Sequence, residues 1–98
     1  MSFRVQLLPQ ATRQIASWGL SDPVWTEVLL RLYQRLRENP AALLKRTKQP
    51  FDGMSYPFEL IDPENRFCRH FFTFHVLYGM DEATLFVARG AYGKTIGI

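Results

Sequence analysis

The sequence predicts an α+β fold, in which a mainly antiparallel four-stranded sheet carries a helical hairpin on one face in the order β-α-α-β-β-β. The first observation is an aromatic and β-branched stretch at residues 66–78, which is typical of a central strand. The second is a helical repeat of apolar residues between positions 22 and 38. Short turn sequences separate the last three apolar runs and predict hairpins. We therefore expect residues 1–98 to form a single domain.

The central strand has two different faces when its residues are taken alternately. The row that we expect to face the core is His70, Phe72, Phe74, Val76 and Tyr78. The other row mixes apolar side chains with basic ones and a hydroxyl, and consists of Arg69, Phe71, Thr73, His75 and Leu77. A mixed row is typical of a sheet face that is only partly covered, so a functional surface is expected there.

The first half of the chain predicts a strand followed by two helices. Residues 3–8 alternate as in a half-buried strand, which Pro9 ends. Residues 10–18 predict a short helix ended by Gly19. A second helix begins at Asp22-Pro23 and ends at Asn39-Pro40. Its apolar stripe is Trp25, Val28, Leu29, Leu32 and Leu36.

The second half predicts a three-stranded meander. Residues 45–50 are polar and basic and predict a loop, and Asp52-Gly53 predicts a tight turn. Pro57 in the next strand, residues 56–61, indicates a sheet edge or a bulge. Hairpin turns are expected at residues 62–65 and 79–82. The last strand is expected at residues 83–89, before a glycine-rich tail at 90–98.

Charge and cysteine content limit the possible functions. The net charge is +3, and residues 1–50 hold eight Lys or Arg against three acids, whereas residues 51–98 hold four against six. A basic first half favours an anionic partner such as nucleic acid or an acidic protein, although a solvated helix face explains it equally well. The single Cys68 excludes an internal disulfide and a multi-cysteine zinc site. Without a signal peptide or membrane span in the sequence, we expect a cytoplasmic protein.

The chain resembles the RelE/ParE superfamily of bacterial toxins from toxin–antitoxin pairs over nearly its whole length. The resemblance rests on its size, its element order, and a helical pair that ends in Asn39-Pro40. It also rests on the hairpin Tyr56-Pro-Phe-Glu-Leu60 followed by Arg66-Phe-Cys-Arg-His-Phe-Phe-Thr-Phe74, and on the closing strand Leu85-Phe-Val-Ala-Arg89. The resemblance implies a toxin that cleaves ribosome-bound mRNA without a metal or other cofactor.

The resemblance also implies a set of site residues. Arg69 stands where the family commonly has a basic residue on the middle strand, and Arg89 lies near the basic residue after the last strand. Tyr92 corresponds to a tyrosine near the C-terminus, and His75 on the face of Arg69 suits proton transfer. Pro57 and Glu59 stand where the ribonuclease branch has lysines. A basic segment that suits contact with the RNA backbone contains Lys45, Arg46 and Lys48. The alternative is that this segment is a solvated loop without a binding role.

Several alternatives follow from the same residues. Arg69 either binds phosphate or pairs with Glu59 on the neighbouring strand. His70, on the core row, is more often a hydrogen-bonded interior histidine than a catalytic one. The alternative function is a non-catalytic protein of the same fold, which inhibits DNA gyrase as the ParE branch does or only binds an antitoxin. The expected partners are a cognate antitoxin, which would lie across the sheet or along the helices, and for the ribonuclease also the ribosome and mRNA.

Overall fold

The computed structural model describes residues 3–46 and 54–97, with the backbone alone at Arg46. Its strands are β1 Arg4–Leu7, β2 Lys45–Arg46, β3 Met54–Asp62, β4 Asn65–Tyr78 and β5 Thr84–Ile96. Its helices are α1 Pro9–Ser17, α2 Asp22–Leu30, which continues in wider π-type turns over Arg31–Leu36, and α3 Pro40–Leu43. The predicted α+β class is confirmed, and the six predicted elements occur in the predicted order, with the short α3 and β2 added between the second helix and β3.

The strands form one sheet in the order β1-β5-β4-β3-β2. The pairs β2–β3, β3–β4 and β4–β5 are antiparallel, whereas β1 lies parallel to β5. The prediction that residues 45–50 form a loop is wrong at its start, because Lys45 and Arg46 pair with Ser55 and Met54 as a two-residue fifth strand. The expected turn at Asp52-Gly53 lies outside the described residues.

The hydrophobic core lies between the helices and one face of the sheet. Positions 24, 28, 32 and 36 of the second helix are buried, so Val28, Leu32 and Leu36 of the predicted stripe are confirmed. Trp25 and Leu29 are only half-buried, and Val24 is the buried residue at the start of the helix. From β4 the core receives Phe72, Phe74 and Val76, as predicted. Tyr78 was expected in the same row but is 46% exposed, because it lies at the end of the strand. No helix in the described ranges is long and apolar enough to cross a membrane.

Short acidic turns fix both hairpins where the sequence predicts them. In the β3–β4 turn, Asp62 Oδ1 accepts a hydrogen bond from the Glu64 backbone N–H at 2.8 Å. In the β4–β5 turn, Asp81 Oδ1 accepts from the backbone N–H groups of Ala83 and Thr84, each at 3.0 Å. The Thr84 hydroxyl donates to Asp81 Oδ2 at 2.8 Å. These side chains satisfy turn amides that the ladders leave unpaired, which sets the register of the meander.

The last strand is longer than predicted and carries a bulge. The glycine-rich segment expected to be a tail continues β5 to Ile96 and pairs with β4 as far as Cys68. His75 pairs with Arg89 and Val76 with Val87, so Ala88 is an extra residue without its own partner in this register. Because side chains alternate along a strand, one extra residue exchanges the faces of everything that follows it.

The bulge brings Gly90 to the helix-covered face, opposite Phe74. A Cβ atom added there would lie 2.8 Å from two ring carbons of Phe74 and 2.9 Å from Trp18 Cη2. The Gly90 amide also donates to Gln14 Oε1 at 2.7 Å, which ties α1 to β5. Glycine is therefore required by close packing rather than by a special backbone angle.

We expect Gly90→Ala to lower the free energy of unfolding by about 1–3 kcal/mol, because the methyl group overpacks rings that have no room to move. The matched control is Gly93→Ala on the same strand, where an added Cβ meets nothing within 4 Å. Urea unfolding of both variants measures the difference. Equal stability of the two variants would contradict close packing of Gly90 against Phe74 and Trp18.

Candidate functional site

The open face of the sheet is the surface on the side opposite the helices. On β4 it presents the mixed row that the sequence predicts: Arg69, Phe71, Thr73, His75 and Leu77. His75 is half-buried and the other four are exposed. Ile61 of β3 lies beside Arg69 in the register and is 57% exposed. The open face therefore combines basic and polar groups with apolar ones on antiparallel strands.

His75 and Arg89 are brought together on the open face. They are direct cross-strand partners, so their Cβ atoms lie about 4.5–5.5 Å apart. Burial lowers the pKa of His75 below its usual 6.5, and the positive charge of Arg89 lowers it further. His75 is therefore a neutral imidazole at pH 7, beside a guanidinium that remains charged.

The bulge at Ala88 creates this pair. Val87 is fully buried on the helix side, so strict alternation would place Arg89 on that side as well. The extra residue turns Arg89 to the open face instead. Bulges that re-aim one side chain in this way are common beside functional sites.

Arg69 shares the open face but lies at its other end. It is six residues from His75 along β4, which corresponds to about 20 Å of strand. Its Nη1 atom lies 3.4 Å from Glu59 Oε1, and both side chains are 53% exposed. The cross-strand pair considered from the sequence is thus present, and an exposed pair of this kind contributes less than about 1 kcal/mol.

Tyr92 lies on the helix-covered face, away from Arg69, His75 and Arg89. It is opposite Phe72 in the register, and its ring stacks on Trp18 with the ring centres 5.3 Å apart. Burial raises the pKa of its phenol above 10.0, with the nearby Cys68 and Asp62 adding to the effect. Of the four residues expected to form one site, the structure unites only His75 and Arg89.

A polar cluster around His70 occupies the same covered face. His70 is buried, and its Nε2 atom lies 2.8 Å from Asp62 Oδ2, while its Nδ1 atom lies 2.6 Å from the Tyr92 hydroxyl. The hydrogen bond from His70 is the main cause that lowers the pKa of Asp62. The ionised carboxylate accepts the Nε2 proton, and in the neutral ring Nδ1 then accepts from the Tyr92 O–H. His70 is thus a hydrogen-bonded interior histidine, as the sequence favours.

Sequence reasoning did not anticipate this cluster. The sequence predicts Asp62 in a hairpin turn and Tyr92 in a glycine-rich tail, and neither prediction places them beside His70. The Cys68 thiol lies 3.8 Å from His70 Nε2 and is buried. The pattern Cys-x-His at positions 68 and 70 on one strand face is the signal that was available, since residues two apart in a strand point the same way.

The basic segment expected to contact RNA is only partly described. Lys45 is exposed on β2. The backbone of Arg46 lies in the same strand, whereas Lys48 lies outside the described residues. Pro57 is opposite Thr73 of β4. On its other side β3 pairs with β2 only at Met54 and Ser55, so Pro57 lies where β3 is the edge of the described sheet, as expected for a proline.

Comparison with solved structures shows that the fold occurs in a toxin–antitoxin complex. A chain of the crystal structure of the toxin–antitoxin complex RelBE2 from Mycobacterium tuberculosis superposes with a TM-score of 0.73. The match covers 95% of this chain and 100% of that chain, at 13% sequence identity. No family model and no curated protein matches the sequence. The fold implied by the RelE/ParE resemblance is therefore confirmed.

Proposed function

We propose, from the fold shared with a chain of the RelBE2 complex, that this protein is the toxin of a toxin–antitoxin pair. We further propose that it acts as an endoribonuclease on ribosome-bound mRNA in the cytoplasm. The observation that carries this proposal is the His75–Arg89 pair on the open face. The antitoxin is the inhibitory partner, and the ribosome and mRNA are the target.

The pair suits RNA cleavage by the 2′-hydroxyl of the ribose. A neutral imidazole accepts the 2′-OH proton as its oxygen attacks the adjacent phosphorus. The bond from phosphorus to the 5′ oxygen of the next nucleotide breaks, which leaves a 2′,3′-cyclic phosphate, and the departing 5′ oxygen takes its proton from water. Arg89 supplies a fixed positive charge for the phosphate oxygens, on which charge develops in the transition state. Both groups stand side by side on an accessible strand pair, and neither role needs a cofactor.

Arg69 extends the same surface toward the hairpin end of the sheet. At about 20 Å from His75 it cannot touch the same phosphate. It suits contact with a neighbouring nucleotide or with the ribosome, in exchange for its exposed pair with Glu59. Lys45 lies on β2, at the edge of the sheet, and would add contacts to the phosphate backbone of the RNA.

A second candidate is a binding protein without catalysis. The observation that favours it is the apolar part of the open face, where Ile61, Phe71 and Leu77 are 57%, 39% and 36% exposed. Exposed apolar groups among charged ones are typical of protein interfaces. In this case a gyrase-type target or the antitoxin alone would occupy the face.

Induced expression in a bacterial host distinguishes the two. We expect growth arrest with new mRNA ends in phase with codons, detected by primer extension, and loss of both in Arg89→Ala. The matched control is Lys94→Ala, which removes one positive charge from the same strand but from the other face, and which should stay toxic. Arrest without cuts would favour a gyrase-type target, and no arrest would leave a binding protein.

A further inference from the structure

We propose that Asp62, Cys68 and His70 form a three-ligand site for a thiophilic divalent cation, for which Zn²⁺ is the best match, with water as the fourth ligand. The proposal concerns the covered face and is independent of the proposed RNA cleavage. One carboxylate oxygen, one sulfur and one imidazole nitrogen lie within 4.8 Å of one another. Carboxylate, thiolate and imidazole are all zinc ligands, and three protein ligands with one water is a common arrangement.

The two distances from His70 Nε2 are close to those of a tetrahedral site. Zinc bond lengths place a nitrogen and an oxygen ligand about 3.4 Å apart, and a nitrogen and a sulfur ligand about 3.6 Å apart. In the structure His70 Nε2 lies 2.8 Å from Asp62 Oδ2 and 3.8 Å from Cys68 Sγ. Binding requires the sulfur to move a few tenths of an ångström toward the nitrogen and the carboxylate oxygen about half an ångström away from it. The oxygen and the sulfur, which lie within 4.8 Å of each other, must approach to about 3.6 Å.

Each ligand is held by the fold. Cys68 and His70 are adjacent positions on the covered face of β4, and they are 5% and 6% exposed. Asp62 is fixed by the hairpin, because its second carboxylate oxygen accepts the Glu64 amide. The hydrogen-bond contact of the Cys68 sulfur is His70 Nε2, at 3.8 Å. This is a weak contact for a thiol that is buried in a polar cluster.

Tyr92 supplies the outer contact that metal-bound histidines usually have. When Nε2 binds a metal, its proton is lost from that nitrogen and the neutral ring carries a proton on Nδ1 instead. The Tyr92 oxygen, 2.6 Å away, then accepts from Nδ1–H rather than donating to it. Such a contact fixes the ring and its tautomer, and its removal typically weakens metal binding 10–100-fold.

The charges and protons balance. The thiol releases its proton to solvent, the histidine proton moves from Nε2 to Nδ1, and the carboxylate is already ionised. One proton is released for each metal bound. The thiolate and the carboxylate neutralise the two positive charges of zinc, so exposed Lys94, opposite His70 on β5, faces a neutral site.

Cobalt titration of the reduced full-length protein tests the site. We expect one equivalent of Co²⁺ to produce a thiolate-to-cobalt charge-transfer band and the intense visible bands of tetrahedral cobalt, and Zn²⁺ to displace them and raise the melting temperature. Cys68→Ser should lose the charge-transfer band. Tyr92→Phe should keep the band but bind cobalt 10–100-fold more weakly.

Two results would overturn the proposal. One is a wild-type protein with a normal melting transition that gives no band at stoichiometric cobalt. The other is a band of equal intensity in Cys68→Ser. If Cys68→Ser does not fold, Asp62→Asn serves as the second variant, since it keeps the shape of the side chain; unchanged cobalt affinity in it would contradict the site.

Discussion

Replacing Phe74 by alanine is expected to lower the free energy of unfolding by about 3–5 kcal/mol. The side chain is fully buried at the centre of the sheet, 5.9 Å between ring centres from both Trp18 and Phe58. Its loss leaves a cavity between β4 and α1 that close-packed neighbours cannot fill. Since a domain of this size has about 5–15 kcal/mol of stability in all, the variant should unfold at much lower urea concentration.

The control for this result is Phe71→Ala, three residues earlier on the same strand. Phe71 lies on the open face and is 39% exposed, so its loss should cost less than about 1 kcal/mol. Similar losses in the two variants would mean that the open face is covered, for example by a second copy of the chain. If Phe74→Ala is insoluble, Phe74→Leu provides the same comparison with a smaller loss.

Replacing His75 by alanine is expected to lower the rate of mRNA cleavage on purified ribosomes by about 10²–10⁴-fold, which is the usual contribution of a general base. Thr73→Ala is the matched control, because it removes a polar group from the same face two residues away and should change the rate little. A rate that falls equally in both would indicate loss of the surface rather than of proton transfer.

The pH dependence of the rate gives a second readout for His75. A base must be neutral, and burial and Arg89 hold the pKa of His75 below 6.5. The rate should therefore rise with pH on the acid side of 6.5 and be level above it, as the fraction of neutral imidazole becomes complete. The rise should disappear in His75→Ala and persist in Thr73→Ala. A wild-type rate that is independent of pH in this range would exclude His75 as the base.

The sequence determined the two faces of the central strand and, through them, the fold. Residues 66–78 are rich in aromatic and β-branched side chains, which predicts a strand, and taking them alternately places Phe72, Phe74 and Val76 together on the core face, where the structure has them. The second helix follows from the same principle at a different period. Arg69 and His75 were placed on the open face for this reason, and the structure agrees.

The tertiary structure decided what the last strand contributes to each face. Residues 90–96 contain three polar or charged side chains and two glycines, a composition that suits a tail, yet pairing with β4 holds them in a strand. The bulge at Ala88 then reverses the alternation, which sends Arg89 to the open face and Tyr92 to the covered one. A bulge depends on the register between two strands, so no pattern within one strand reveals it.

The Asp62, Cys68, His70 and Tyr92 cluster is likewise a product of tertiary structure. Its members come from a turn, from the central strand and from the last strand, and only the pairing of β3, β4 and β5 brings them together. The sequence determined which residues are buried on β4, because burial follows from alternation along one strand. The meeting of side chains across strands depends on register and bulges, which are set by the packing of the whole sheet.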